Sequence, residues 1–435
     1  MDDSTTHESG AALAETLLPE SQKLAANPFQ TAVINPTQTG RITILPRLDP
    51  DAAFPQLRTD PKPRYEASEL LGQGGVGTVM LARDNDIERD VAVKRLLPEH
   101  NSSGAVRRFI DEIRTVGQLE HPGIVPVYDV GQDDDGSYFF VMKRLQGETL
   151  SDVIQRLQDG DPRTHEQYPF EARFRLWMSA VEAVGYAHSR GFIHRDLKPS
   201  NIMIGQHGEV VVIDWGLAKR TTEEVAQPEP DKEPAPDLNA MRDTLPGLDT
   251  IIPANDALAQ ELARKTQLGE ITGTPLYMAP EQALGHIHKM DQRTDIYALG
   301  VVLYELLSLH HYLEDRMTGL GPLYGAITEN PAPVYSHNHP IQGRVPVEYG
   351  HFIERCMAKE PTQRFQSMHE LLVEANRILS GQFPIRCLAT GYKRTLLGGI
   401  KLHNRHPTMV HVGTVMLLLA MMTVVVMATL YITSA

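Results

Sequence analysis

Val412 to Ile432 contains no charged residue over 21 positions. As an α-helix this run is about 30 Å long, the thickness of a bilayer core. A buried core helix is the competing reading, but core helices rarely run so far without a charge. The segment 412–432 is therefore read as a single transmembrane helix. It lacks a G-x-x-x-G pattern, so no helix-packing face is specified. No acidic residue follows Glu374, whereas Arg377, Arg386, Lys393, Arg394, Lys401 and Arg405 do. The formal charge is −14 over 435 residues, so the part up to Glu374 carries −20 and the part after it +6. The basic flank 381–411 is read as a juxtamembrane linker. By the positive-inside rule it faces the cytoplasm, where its charges suit anionic headgroups. Only Thr433, Ser434 and Ala435 follow the span. The expectation is that no external ligand-binding module is present and that signals arrive from the cytoplasm, the bilayer or partners.

The remaining composition narrows the function classes. An acidic chain is a poor non-specific binder of nucleic acid, so no nucleic-acid partner is expected. Two distant cysteines, Cys356 and Cys387, make neither a disulfide framework nor a four-ligand zinc site, and fit a reducing compartment. Met1-Asp2-Asp3 is acidic and no apolar signal-peptide region follows. Residues 1–64 are punctuated by Asn27-Pro28, Asn35-Pro36, Asp49-Pro50 and Pro61-Lys62-Pro63, which favour turns and extended chain. They are read as a flexible leader, with a short helix expected over 11–18.

From Tyr65 to about Ser380 the pattern is globular. Strands are expected over 65–71, 76–81, 91–97, 125–130 and 138–143. Val106, Phe109, Ile110, Ile113 and Val116 recur at helix spacing between the third and fourth. After Thr149 the pattern is mainly helical. The fold class is α+β: a small β-rich lobe, a larger helical lobe, and the transmembrane helix. Within this stretch, 219–270 holds six prolines and many acids, and is read as a functional or disordered insert.

Four motifs carry chemistry. Gly72, Gly74, Gly75 and Gly77 lie between two strand-like segments, which suits a hairpin over phosphates better than a dinucleotide-binding turn leading into a helix. Lys94 lies among apolar strand residues in Val91-Ala92-Val93-Lys94. Glu112 shares a helix face with Phe109 and Val116, so it points inward and needs a cationic partner, which Lys94 can supply. The most specific run is His194-Arg195-Asp196-Leu197-Lys198-Pro199-Ser200-Asn201, followed by Asp214-Trp215-Gly216 and Met278-Ala279-Pro280-Glu281.

This set, in this order, resembles the bacterial eukaryotic-type (Hanks-type) Ser/Thr protein kinases. The resemblance implies a bilobal protein kinase fold over 65–380 and the following roles. Asp196 takes the proton of the substrate hydroxyl, Lys198 steadies the transferring phosphoryl group, and Asn201 and Asp214 hold Mg²⁺, with Mn²⁺ as the alternative cation. Lys94, oriented by Glu112, contacts ATP phosphates. Leu71, Val79, Ala92 and Met203 sandwich adenine, Met142 is the gatekeeper and Leu145 the hinge residue. Asp295 braces the catalytic loop, and Glu281 with Arg364 forms a structural ion pair. Lys198 with Thr274 favours Ser or Thr as acceptor. Arg195 marks control by an activation-segment phosphate, with Thr272 the first candidate site and Thr266 the second. Trp215 stands where phenylalanine is common, and Lys143-Arg144 where an acidic–aromatic pair is common. Substrates are expected to be proteins, and homodimerisation is left open. The alternatives are a membrane-tethered pseudokinase scaffold, against which Lys94, Asp196, Asn201 and Asp214 argue, and a small-molecule kinase of aminoglycoside type, which lacks the Ala-Pro-Glu segment. The pairs His286/His288, His310/His311 and His337/His339 are read as solvated histidines rather than metal ligands.

Overall fold

Alternating apolar and polar residues lay down a five-stranded antiparallel sheet at the start of the globular part. The description rests on a computed structural model that covers residues 43–45, 47–48, 57–58, 62–73, 77–97, 103–133, 136–220, 274–316 and 321–434. The sheet strands are β1 (Tyr65–Gln73), β2 (Gly77–Asp84), β3 (Arg89–Leu96), β4 (Val127–Gln132) and β5 (Tyr138–Lys143), in the order β1-β2-β3-β5-β4. Gly77 is required where β2 opens, because a Cβ there would lie 2.4 Å from the Arg95 carbonyl oxygen. Helix α1 (Ser103–Val116) lies between β3 and β4 in sequence. It buries Phe109, Glu112 and Val116, the face expected from their spacing. Phe109 meets Phe140 of β5 with ring centroids 5.4 Å apart.

The larger lobe is built around two helices, α4 (Phe170–Ser189), which leaves Glu171, Arg175 and Glu182 exposed along one face, and α6 (Gln292–Ser308), which buries nearly all sides. A helix that is apolar all round belongs at the centre of a core rather than at its surface. The two are locked together where the Trp177 indole N–H donates to the Leu299 carbonyl at 2.8 Å. Ahead of α4 come β6 (Gly147–Thr149), α2 (Leu150–Gln158) and α3 (Pro162–Gln167). After it, β7 (Phe192–Ile193), β8 (Ile202–Gly205) and β9 (Val210–Val212) frame the catalytic loop, and β10 (Lys219–Arg220) pairs with β7. The elements α5 (Pro280–Ala283), α7 (Gly321–Thr328), α8 (Val347–Cys356) and α9 (Met368–Leu379) complete this lobe.

The structure departs from the sequence expectations in several places. Strands β2 and β3 reach Asp84 and begin at Arg89, because their ladder continues into polar residues as far as Asp84↔Arg89. Part of the expected leader docks: the N–H groups of Ile44 and Leu45 donate to Asp86 Oδ1 at 2.9 and 3.2 Å, and Arg47–Leu48 pairs with Leu57–Arg58. The first two residues of the expected insert are strand β10; residues 221–273 lie outside the described residues. The expected linker contains a helix, α10 (Leu388–Arg405), whose start is held by Thr390 Oγ1 accepting from the Arg386 and Cys387 N–H groups, both at 3.0 Å.

The last helix, α11 (Pro407–Ser434), is long and apolar enough to cross a membrane. It begins a turn earlier than the uncharged run, because Pro407 is tolerated in a first helical turn.

Candidate active site

Strand register places the small-lobe half of the site. Residues directly opposite in an antiparallel pair project on the same face. The pairs Gly72↔Val79, Val79↔Lys94 and Lys94↔Phe140 therefore share a face with Leu81↔Ala92 and Ala92↔Met142. Val79, Ala92, Lys94 and Met142 are thus gathered on the α1 side of the sheet. Leu71 lies beside them in β1, next to a register shift. Gly74 and Gly75 lie outside the described residues. From the larger lobe, Met203 lies on the middle strand of a three-stranded sheet, opposite Thr149 and Val211. Leu145 follows β5 and packs against the main core.

Lys94 Nζ donates to Glu112 Oε1 at 2.6 Å and reaches Asp214 Oδ1 at 3.4 Å. Burial works against the ammonium, but Glu112 and Asp214 outweigh it and hold the lysine above its ordinary pKa. Burial raises the Glu112 carboxyl, an effect that Lys94 opposes, and the close contact ties β3, α1 and the chain after β9 together. Gly216 leaves room for it: a Cβ there would lie 3.3 Å from Glu112 Oε2 and 3.4 Å from Asp214 Oδ1.

The loop between β7 and β8 carries Asp196, Lys198 and Asn201. Lys198 Nζ donates to Asp196 Oδ2 at 2.8 Å and to Thr274 Oγ1 at 2.7 Å. Asn201 Nδ2 donates to the Asp196 carbonyl at 2.9 Å and faces its Oδ2 at 3.3 Å. The Thr274 N–H donates to Asp196 Oδ1 at 2.7 Å. Desolvation alone would raise the Asp196 carboxyl, but Lys198 and Thr274 more than offset it and hold the pKa below the usual value. Asp196 is thus a carboxylate at neutral pH.

Asp295 holds this loop from beneath. It is fully buried, and its Oδ2 accepts from the His194 N–H at 2.8 Å and its Oδ1 from the Arg195 N–H at 2.9 Å. Those two bonds retain Arg195 in the left-handed region, φ 68°, a conformation that non-glycine residues keep only where surroundings impose it. Asp214 is similarly left-handed, φ 61°. His188 Nε2 lies 2.7 Å from Asp295 Oδ2. Sequence reasoning missed this histidine, because it is 107 residues from its partner and nothing local marks it.

Trp215 is 1% exposed, with its ring centroid 4.5 Å from that of His194 and its indole N–H donating to the Val212 carbonyl at 3.3 Å. The larger ring therefore fills an apolar site and finds its polar partner. In the hinge, Arg144 is turned to an ion pair with Asp90. Glu281 and Arg364 form a two-pronged buried pair, both contacts 2.8 Å, with Thr294 Oγ1 adding a bond to Glu281 at 2.9 Å.

Asn201 and Asp214 are the residues suited to a hard cation. The Asn201 amide nitrogen is engaged with Asp196, which leaves its oxygen as the outward donor, and Asp214 supplies a half-exposed carboxylate. Among the described residues no cluster of three or more His, Cys, Asp or Glu is placed to bind a metal. His310 and His337 stack at 4.8 Å, and His337 Nε2 bonds the Tyr304 hydroxyl at 2.8 Å. His311, expected to be solvated, is instead buried, because its ring packs 5.3 Å from that of Tyr277 and its Nδ1 accepts from the Leu313 N–H at 3.1 Å. Thr266 and Thr272 lie outside the described residues.

Comparison with known proteins agrees with this arrangement. The protein kinase domain family matches residues 65–233 and 257–375, well over half of the chain, and the gap falls in the proline- and acid-rich stretch. The serine/threonine-protein kinase PknD of Protochlamydia amoebophila is 33% identical over 332 residues, covering 75% of this chain and 31% of that protein. Those of Chlamydia muridarum and Chlamydia pneumoniae are each 32% identical, over 323 and 322 residues, covering 73% of this chain and 32% and 31% of their own lengths. The chain spans about a third of the length of these curated relatives. The lysine–glutamate pair, the braced loop and a match over most of the folded part all lead to one assignment: this chain belongs to the protein kinase family.

Proposed function

We propose that the chain is an ATP-dependent serine/threonine protein kinase, autophosphorylating and anchored in a membrane with its catalytic domain in the cytoplasm. The observation that carries the reading is the Asp196 carboxylate, held between Lys198 and the Thr274 N–H while Lys94 is closed on Glu112. These contacts support both halves of a phosphoryl-transfer site. Asp196 takes the proton as a protein hydroxyl attacks the γ-phosphorus of ATP, and it orients that oxygen. Lys198 is placed beside the base to offset charge on the moving phosphoryl group. Lys94 takes the α- and β-phosphates, and the apolar face of Leu71, Val79, Ala92 and Met203 takes adenine. Asn201 and Asp214 would hold Mg²⁺, which when bound would supply positive charge against the phosphates.

Arg195 supports control of the site by phosphate. Its side chain is largely buried and Nε meets no acceptor among the described residues. Desolvation lowers the guanidinium pKa, so an anion nearby would be favoured. We assign Thr272 as that phosphorylated residue, with Thr266 second.

A pseudokinase scaffold is disfavoured because Lys94, Asp196, Asn201 and Asp214 are all present and all four are directly linked, Lys94 to Asp214 and Glu112, and Asn201 to Asp196. The test is transfer from Mg-ATP to a generic protein substrate by the full chain in detergent. Asp196→Asn should lower it by roughly 10²- to 10⁴-fold with nucleotide binding retained. Unchanged transfer in that variant overturns the reading. Phosphopeptide mapping of the active enzyme that finds no phosphate on Thr266 or Thr272 overturns the assignment of those sites.

A further inference from the structure

Helix α10 is built the wrong way round for the surface of a soluble domain. A surface helix normally turns its apolar stripe inward and its charges outward. Here Leu388, Tyr392, Leu396 and Ile400 recur every four residues and form one stripe, and they are 95, 74, 51 and 49% exposed. The opposite face, which carries Thr390, Arg394, Leu397 and Lys401, is turned to the larger lobe. Thr390 is buried, and Leu397 packs against the main core. Arg394 Nη1 donates to the Phe383 carbonyl at 3.2 Å, and Lys401 Nζ donates to the Ser380 carbonyl. On the flank, Lys393 pairs with Glu348 of α8. The basic residues expected to face lipid are thus spent in part on holding the helix to the kinase domain.

The position of α11 says what covers the stripe. His403 lies seven residues after Leu396, on the same face, and its ring is 5.2 Å from that of His411 in the second turn of α11. Helix α11 therefore departs from the apolar side of α10. Whatever medium surrounds α11 lies on the side to which Leu388, Tyr392 and Leu396 point. The stretch has no acidic residue after Glu374, and Arg386 and Arg405 are exposed near its two ends, as anionic headgroups require.

We propose that α10 is an interfacial helix: its Leu388–Tyr392–Leu396–Ile400 stripe lies in the headgroup–acyl boundary of the bilayer that α11 crosses. Its inner face clamps the larger kinase lobe, so the catalytic domain is held against the membrane at a fixed face rather than swinging on a linker. The occupant is lipid, not a second copy of the chain. The proposal rests on the reading of α11 as a membrane span.

The experiment uses the full chain reconstituted in phosphatidylglycerol–phosphatidylcholine vesicles, with and without brominated acyl chains, and reads tryptophan fluorescence. Trp177 and Trp215 are buried and supply a constant background measured on the unchanged chain. Tyr392→Trp, an aromatic replacement at an exposed site, reports on the stripe. Leu396→Trp repeats the measurement one turn on. Met416→Trp reports on α11. Expected are a blue-shifted added emission at Tyr392→Trp and Leu396→Trp and about twofold or greater quenching by the brominated lipid, as for residues seated 5–10 Å into the boundary. Quenching at Met416→Trp without quenching at either α10 site overturns the interfacial helix and leaves the span standing. A blue shift without quenching at those sites also overturns it, in favour of a second copy covering the stripe. No quenching at Met416→Trp removes the span and this proposal together.

Discussion

The Thr274 N–H donates to Asp196 Oδ1 at 2.7 Å across 78 residues of sequence, while Lys198 Nζ joins Asp196 Oδ2 to the Thr274 hydroxyl. The segment that precedes Ala279-Pro280-Glu281 is thereby part of the hydrogen-bond shell of the proposed base. Replacing Thr274 by Val keeps the N–H and removes only the hydroxyl. The expected outcome is a fall in kcat of roughly 10-fold, smaller than that of Asp196→Asn, because one of Lys198's two partners remains. Steady-state kinetics on both variants check the order: an unchanged kcat in Thr274→Val would remove the hydroxyl from the scheme, and a loss equal to that of Asp196→Asn would overturn the order.

Glu112 holds Lys94 by the 2.6 Å contact, and in the proposed mechanism it is a positioning residue. Glu112→Gln keeps the shape but removes the charge that holds the ammonium in place, leaving Asp214 at 3.4 Å as its remaining anion. Misplacement of a positioning group costs on the order of 10²-fold in kcat. Nucleotide affinity should fall much less, and titration calorimetry against kinetics separates the two. Lys94→Met should be inactive.

Arg364 and Glu281 are a stability element away from the chemistry. Arg364→Met leaves Glu281 buried without its cation, which costs about 3–5 kcal/mol. Urea unfolding should show the midpoint shift, and a fully stable variant would show that the pair is dispensable.

His311 makes stability depend on pH. Burial lowers its pKa from 6.5 to about 4, so the unfolded state takes up the proton first. Its contribution is fully present above pH 6.5 and is lost as pH falls toward 4. By pH 5 the loss is on the order of 2 kcal/mol. His311→Asn keeps an acceptor for the Leu313 N–H, which now donates to Nδ1 at 3.1 Å, and cannot titrate. The difference in unfolding free energy between the two proteins should therefore shrink as pH falls from 7 to 5, and a pH-independent difference would contradict the assignment.

The proposed catalytic residues were legible in the chain because their spacing is local. Asp196, Lys198 and Asn201 lie on one loop, and Asp214 follows a short hairpin, so a string of residues already implies a site. Glu112 was legible for a different reason: its helical face is otherwise apolar, and a carboxylate there must meet a cation. Reading α11 as a membrane span rested likewise on one local property, the absence of charge over a bilayer's length. None of the long-range contacts could be read this way. His188 meets Asp295 only because α4 and α6 pack side by side, and the Thr274 N–H meets Asp196 only because a distant segment returns over the loop. Ile44 and Leu45 dock on Asp86 through backbone donors, which every residue carries, so no side chain announces it. The orientation of α10 is the plainest case. Its amphipathic pattern is local, but a pattern fixes only that two faces differ. Which face meets protein was decided by Glu348, Ser380 and Phe383, which the tertiary fold brings to the basic side.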